Sequence, residues 1–380
     1  MIPLIKLPYD DGDIAELVQV LKTGKITQGA VVDSVEKALA FYLGVKHVVL
    51  VSSGTAALHI GLLALGVSRG DLVITTSFSF VATANVIELV GATPIFVDID
   101  PGSWNISHQH LEETLEKLNR EGMLERMKAI IPVHLFGVPV DEEVFQIAER
   151  YRIPVLEDAA GALGTTLSGR KAGTLGLVGC FSFHPRKVVT SGEGGALVTN
   201  NDGIAEQARL LRSHGIDYSA GEMRLPGFNY RMTDFQAAML AGQVRRLQRL
   251  VQDRLQVASR YVALLRERSL PLLPQKFVIR EDTFPSLQNF AVLMMRTPAC
   301  SKRKEIISLL RERGVETTIG TWHIPLTQYY SEKYGYKSGD FPQTDRIAPC
   351  TLSLPFYPGL TPEEQEAVAD HLSEVLWKVS

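Results

Sequence analysis

The sequence predicts an α/β protein: a large domain on a mainly parallel, seven-stranded sheet flanked by helices, followed by a smaller α+β C-terminal domain. Three observations predict it. Seven short, β-branched apolar runs, bounded by Gly, Pro, Asp or Ser, recur through roughly the first 240 residues. Amphipathic stretches of helical period separate several of them, the pattern of parallel strands joined by helical crossovers. A proline-free helical stretch from Thr233 to about Leu265 then carries the chain out of that region.

In order, the strands are HVVLVSS, LVITT, TPIFVDI, KAIIPVHLFG, IPVLEDA, GCFSFH and GALVT. Helices are expected at Thr55 to Leu65, Leu111 to Leu118 and Glu142 to Tyr151, where apolar positions recur every three to four residues. Beyond the long helix, Phe290 to Met294 reads as a strand, Ser301 to Arg313 as a helix, and Thr361-Pro362 as the start of a last helix. The expected division is residues 1–245 for the large domain and 246–380 for the small one.

Composition narrows the function. A chain of 380 residues, 45% hydrophobic, can bury one large core and a smaller one. Its formal charge of −3 and pI near 6.3 provide no clustered basic surface, so nucleic acid is not an expected partner. The opening MIPLIKLPYDDGD lacks the basic start and apolar core of a signal peptide, and the stretch AALHIGLLALGV is too short to span a bilayer and carries a histidine. A soluble cytoplasmic protein without membrane partners is expected. Cys180, Cys300 and Cys350 are far apart with no CxxC pairing, so they are read as reduced packing residues, and no metal site is predicted. No P-loop or HExxH motif occurs, VSSGT does not match GxSxG because Val51 stands where the first glycine should be, and Leu197 stands where a GxGxxG reading of GEGGAL needs glycine.

In an open parallel sheet, ligands sit beyond the carboxyl ends of the strands. Four stretches lie there. Ser53-Gly54-Thr55 follows a strand and opens a helix, which makes either a phosphate cup or a plain N-cap. Glu157 and Asp158 end a buried strand and point to opposite faces of the sheet; a carboxylate there needs a cation, a ring N–H or a cap. Phe80 can lie flat on a planar ligand or be an ordinary core residue. Lys187, in FSFHPRKVVTSGEGG, leaves a strand among apolar flanks, where desolvation makes an amine nucleophilic; a solvated surface lysine is the alternative. The glycines after it are read as space for a cofactor and a turn into the next strand.

Together these are the parts that hold pyridoxal 5′-phosphate (PLP). The chain resembles the DegT/DnrJ/EryC1/StrS aminotransferases, sugar aminotransferases of PLP fold-type I. The likeness runs through TGKITQGAVVDSVEKALAFYLGVKHVVLVSSGTAAL, GATPIFVDIDPGSWNI, PVHLFG, LEDAAGALG, FSFHPRKVVTSGEGG, GFNYRMTDFQAAM and LSLPFYPGLT. It implies Lys187 as the Schiff-base lysine, Asp158 as the partner of the pyridine nitrogen, Gly54, Thr55 and Ser182 on the phosphate, and Phe80 on the ring. It further implies Asn229 as a phosphate contact from a neighbouring subunit, hence a homodimer with a shared site, and His184, Arg231 and His323 near substrate. The implied reaction moves an amino group from glutamate to a nucleotide-linked keto sugar, in the family often a 4-keto-6-deoxy sugar. Pyridoxamine 5′-phosphate (PMP) is the intermediate cofactor form.

Two departures stand out. Many members carry glutamine three residues after the aspartate, near the cofactor's phenolic oxygen, where this chain has Gly161. Many also carry P-L-H late in the chain, where Thr327 follows Leu326 here. A sugar dehydratase of the same family is the nearest alternative, but such proteins have histidine in place of the lysine. A non-catalytic PLP-binding regulatory protein is the other.

Overall fold

The computed structural model describes residues 1–295 and 297–379. Seven strands lie where the apolar runs predict them: His47–Val51 (β1), Leu72–Thr76 (β2), Thr93–Val97 (β3), Met127–Ile131 (β4), Leu156–Asp158 (β5), Val178–Ser182 (β6) and Gly195–Thr199 (β7). They form one group in the order β1-β7-β6-β5 and another in the order β3-β2-β4. Parallel bridges Ile130 to Val155 and Val133 to Asp158 stitch β4 to β5 and join the groups. Only β7 runs against its neighbours in this array. Strands β2 and β7 are buried along their whole length, because helices cover both faces, which is why they read as unbroken apolar runs rather than alternating ones.

The helix Gly54–Ala64 (α1) lies under β6 and β7 and is buried from Ala56 to Leu62, so its sequence there is apolar except for His59, whose ring meets Tyr230 Oη at 3.2 Å. The helices at His108–Arg120 and Glu142–Arg150 instead present one apolar stripe each, through Leu111, Leu115 and Leu118 and through Val144, Ile147 and Ala148.

A second, antiparallel sheet contains Leu272–Pro274 (β8), Phe290–Met294 (β9), Thr318–Ile319 (β10) and Thr351–Leu354 (β11), in the order β8-β9-β11-β10. Its core gathers Tyr261, Phe290, Leu352, Phe356 and the apolar face of the C-terminal helix Pro362–Val379. The N-terminus crosses to this core: Ile2 packs on it and bridges Val315.

Two expectations are corrected. The long helix is two helices, Asp234–Arg245 and Leu247–Glu267, separated at Arg246. Arginine favours helix, so nothing local marks the break; the Arg246 guanidinium is drawn onto Asp13 at 2.7 Å and Asp10 at 2.9 Å. The cysteines are not all reduced either, because Cys300 and Cys350 form a disulfide with Cα atoms 4.4 Å apart. They are 50 residues apart in sequence, but the pairing of Leu293 with Thr351 brings the end of β9 beside the start of β11. Cys180 is free and buried.

Candidate active site

A cavity of about 580 Å³ opens at the carboxyl ends of the parallel strands, and Gly54, Thr55, Phe80, Asp158, Ser182, His184 and Lys187 all line it. Local structure explains each placement. At the start of α1, the Ser53 side chain accepts from Ala56 N at 3.0 Å, an N-cap that leaves the Gly54 and Thr55 N–H groups at the open end of the helix. A Cβ on Gly54 would stand 2.8 Å from Ser182 Cβ, so only glycine lets the end of β6 close against this turn. Gly195 makes room in the same way for the Ser53 carbonyl, 2.5 Å from where its Cβ would be. That glycine after Lys187 therefore accommodates protein backbone, not a ligand as the sequence suggested.

Asp158 ends β5 and is buried. Thr83 Oγ1 donates to its Oδ2 at 2.6 Å and Ala160 N to its Oδ1 at 3.1 Å. Both donors are neutral, and the carboxylate lines the cavity, where it can receive a ring N–H⁺. The Lys187 side chain makes no hydrogen bond or ion pair among the described residues; it is half-buried and lines the cavity, while its backbone N–H donates to His184 O at 2.9 Å. Burial lowers its pKa to about 8, with the charge of Asp158 opposing and that of Arg186 reinforcing the shift. Near neutral pH about a tenth of such an amine is unprotonated, against roughly one part in several thousand for an ordinary lysine. His184 Nδ1 accepts from Arg186 N at 3.2 Å, and burial lowers the pKa of the ring, so its Nε2 carries the proton. Phe80 is 61% exposed, a bare aromatic face at the cavity, while its neighbour Phe78 is fully buried.

Glu157 points away from Asp158, as the alternation of a strand requires. It accepts from the N–H groups of Gly173, Leu175 and Gly176 at 2.7, 2.7 and 2.6 Å, and from His134 Nε2 at 2.8 Å. Val140 N donates to His134 Nδ1 at 3.1 Å, which fixes the proton on Nε2. This buried cluster locks the strand that presents Asp158. Replacing Glu157 by alanine strands four donors and is expected to cost about 3–5 kcal/mol, read from denaturant unfolding.

Three expected site residues lie elsewhere in the chain. Asn229 is exposed and its backbone bridges Ser213. Arg231 lines a second cavity of about 710 Å³ with Gln28, Arg209 and Tyr218. His323, expected near substrate, does not line the 580 Å³ cavity: its Nε2 lies 2.8 Å from Asp345, its ring meets Phe341 edge-on, and burial lowers its pKa against the pull of Asp345.

Several residues of the cavity were not read from the sequence, among them Arg186, Thr83 and Gln288. Arg186 stood in the quoted stretch, one position before Lys187, and its charge there was a usable signal. Thr83, in the first turn of Ala82–Leu89, carries no local signal for its bond to Asp158, and neither does Gln288, which comes from the segment before β9. The residues present fit PLP on two observations: a buried carboxylate held only by neutral donors, and an unpartnered amine of lowered pKa in the same cavity.

Comparison with known proteins agrees. The profile of the DegT/DnrJ/EryC1/StrS aminotransferase family matches residues 9–373. A pleiotropic regulatory protein of Geobacillus stearothermophilus is 36% identical over 363 residues, 94% of this chain and 92% of that protein. Among solved structures, Helicobacter pylori PseC, an aminotransferase involved in the biosynthesis of pseudoaminic acid, superposes with a TM-score of 0.90 at 28% identity, covering 99% of each chain. NtdA of Bacillus subtilis, solved with bound PMP, gives 0.83 at 32% identity over 98% of this chain and 83% of that one. With a family match over nearly its whole length, a shared fold and the lysine and aspartate in one cavity, the chain belongs to the DegT/DnrJ/EryC1/StrS aminotransferase family.

Proposed function

We propose that this protein is a PLP-dependent aminotransferase that moves the amino group of L-glutamate to a nucleotide-linked keto sugar, with a 4-keto-6-deoxy sugar as the favoured acceptor. One observation carries the reading: Lys187, with its pKa lowered to about 8, shares a cavity with the buried carboxylate of Asp158. When bound, PLP supplies an electron sink for the charge that develops on the substrate carbon. Lys187 would hold the cofactor covalently, and its free amine would carry the proton between the substrate carbon and C4′ of the cofactor. Asp158 keeps a proton on the pyridine nitrogen. The N–H groups of Gly54 and Thr55 and the Ser182 hydroxyl hold the phosphate at the helix N-terminus. Phe80 would cover one face of the ring.

Arg186 lines the cavity without an ion-pair partner among the described residues, which makes it available to the carboxylate of the amino donor. His184, with its proton on Nε2, faces the same space as a donor to substrate oxygen. Asn229 and Arg231 complete the partner's site in a homodimer, which accounts for their distance from the cavity of their own chain. A division into residues 1–245 and 246–380 is part of the proposal, although Leu247, Leu250 and Val251 pack into the core of the large domain. A cytoplasmic location belongs to the same proposal; no described helix is long and apolar enough to cross a membrane.

The test is a coupled assay with glutamate against a panel of 3-keto and 4-keto nucleotide sugars. Turnover of at least one 4-keto sugar, with 2-oxoglutarate formed, is expected; conversion of bound PLP to PMP by glutamate with no acceptor used by any panel member would contradict the sugar assignment. The name of the Geobacillus stearothermophilus relative supports a regulatory reading. It requires that glutamate never convert the bound cofactor to PMP, so the same assay decides between them.

A further inference from the structure

Gly161 stands three residues beyond Asp158, where many family members carry glutamine, and a different glutamine fills the space its side chain would take. A Cβ built on Gly161 would lie 2.5 Å from Gln288 Oε1 and 3.4 Å from Gln288 Cβ and Cδ. Both residues line the cavity that holds Asp158 and Lys187. The Gln288 amide has no hydrogen-bond partner among the described residues, although the backbone that carries it is held from several sides.

Gln288 N donates to Phe136 O at 2.8 Å, and Ser286 N to Thr165 Oγ1 at 2.9 Å. Ser286 Oγ reaches Gly161 O at 3.3 Å, tying the loop directly to the segment that lacks the glutamine. Arg254, buried and stacked over Phe356, donates to the carbonyls of Leu287 and Gln288 at 3.2 and 3.4 Å. Leu287 sits at φ 49°, a left-handed conformation that a bulky residue keeps only where its surroundings impose it. A strained, multiply anchored loop therefore delivers an unpaired amide to one edge of the cavity.

We propose that Gln288 is a cofactor-contact residue: its amide takes the place of the glutamine missing at position 161 and donates a hydrogen bond to the phenolic oxygen of PLP. The proposal rests on the reading of this cavity as a PLP site. An amide offers two N–H donors, and the phenolic oxygen is an acceptor beside the carbon that Lys187 attacks. Such a donor withdraws electron density from that end of the ring, so the Lys187 nitrogen gives up its proton at lower pH.

The measurement is the pH at which the absorbance of the cofactor bound to the whole protein changes, in the parent and three variants. Gln288→Ala is expected to move that pH up by about half a unit to one unit, the size of one hydrogen bond to a charged conjugated system. Gly161→Ala is expected to move it in the same direction, because the added methyl displaces the amide, which is the flexible end of its side chain. Gly161→Gln combined with Gln288→Ala should return it to the parent value, which a purely structural role for Gln288 would not produce. If Gln288→Ala titrates as the parent does, with the cofactor still fixed on Lys187 by borohydride, the proposal is overturned and the site reading stands. If the parent itself binds no cofactor at Lys187, the site reading falls first and takes the proposal with it.

Discussion

Replacing Lys187 by alanine is expected to abolish transamination, with turnover falling by at least about 10⁴-fold, because one amine both anchors the cofactor and moves the proton. The fold should survive, since the Lys187 side chain makes no hydrogen bond or ion pair among the described residues that alanine would remove. Stability of the cofactor-free protein provides a second readout with a definite sign. The folded-state pKa of about 8 lies below the ordinary 10.5, so the unfolded chain binds more protons at this site and stability rises with pH between those values. Below pH 8 the penalty of the buried ammonium is fully present, and the variant escapes it. Cofactor-free Lys187→Ala should thus be at least as stable as the parent at pH 7, and its relative advantage should shrink as pH climbs from about 8 toward 10.5. Denaturant midpoints of the two proteins across that range check the slope; unchanged turnover in the variant would remove Lys187 from the mechanism.

The second large effect is at Asp158. Asparagine keeps the shape: its Oδ1 can still accept from Ala160 N while its Nδ2 donates to Thr83 Oγ1, whose own proton turns to Phe80 O, so Asp158→Asn chiefly removes the charge. Loss of a preorganised charge facing the reacting system is expected to lower turnover by about 10²–10³-fold. The same change should lower the pKa of Lys187 further below about 8, because the Asp158 charge is what opposes the effect of burial there. The pH dependence of Lys187 modification by a carbonyl reagent in the cofactor-free protein reads this directly. A midpoint that rises or stays put in Asp158→Asn would mean that the two groups do not share a field.

Much of this arrangement is legible in the chain. Strands buried on both faces must be apolar throughout, so LVITT and GALVT announce themselves, and the residues that end such strands must face the ligand side of the sheet. Lys187 and Asp158 are readable for that reason, and Glu157 is assigned to the other face by alternation alone. What escaped depends on distant partners. The helix break falls at Arg246, whose guanidinium meets Asp10 and Asp13 more than two hundred residues away. The Cys300 to Cys350 bond follows from the pairing of β9 with β11, and no spacing rule announces it. Thr83 and Gln288 reach the site because a helix start and a strained loop happen to converge on it. Gly161 looked like a missing function in the sequence, and in the fold it is the room that another side chain uses.

Among the described lysines, burial lowers the pKa of two, Lys187 and Lys171. Lys171 is the informative competitor: burial lowers its pKa too, but it lies over the rings of Tyr42 and Phe284, donates to Thr166 and does not line the cavity. Incubation of the full chain with PLP, reduction with borohydride and peptide mapping tests the two directly. The expected result is one equivalent of cofactor fixed on the peptide containing Lys187. Cofactor fixed on Lys171 or another lysine, or none fixed at all, would contradict the account.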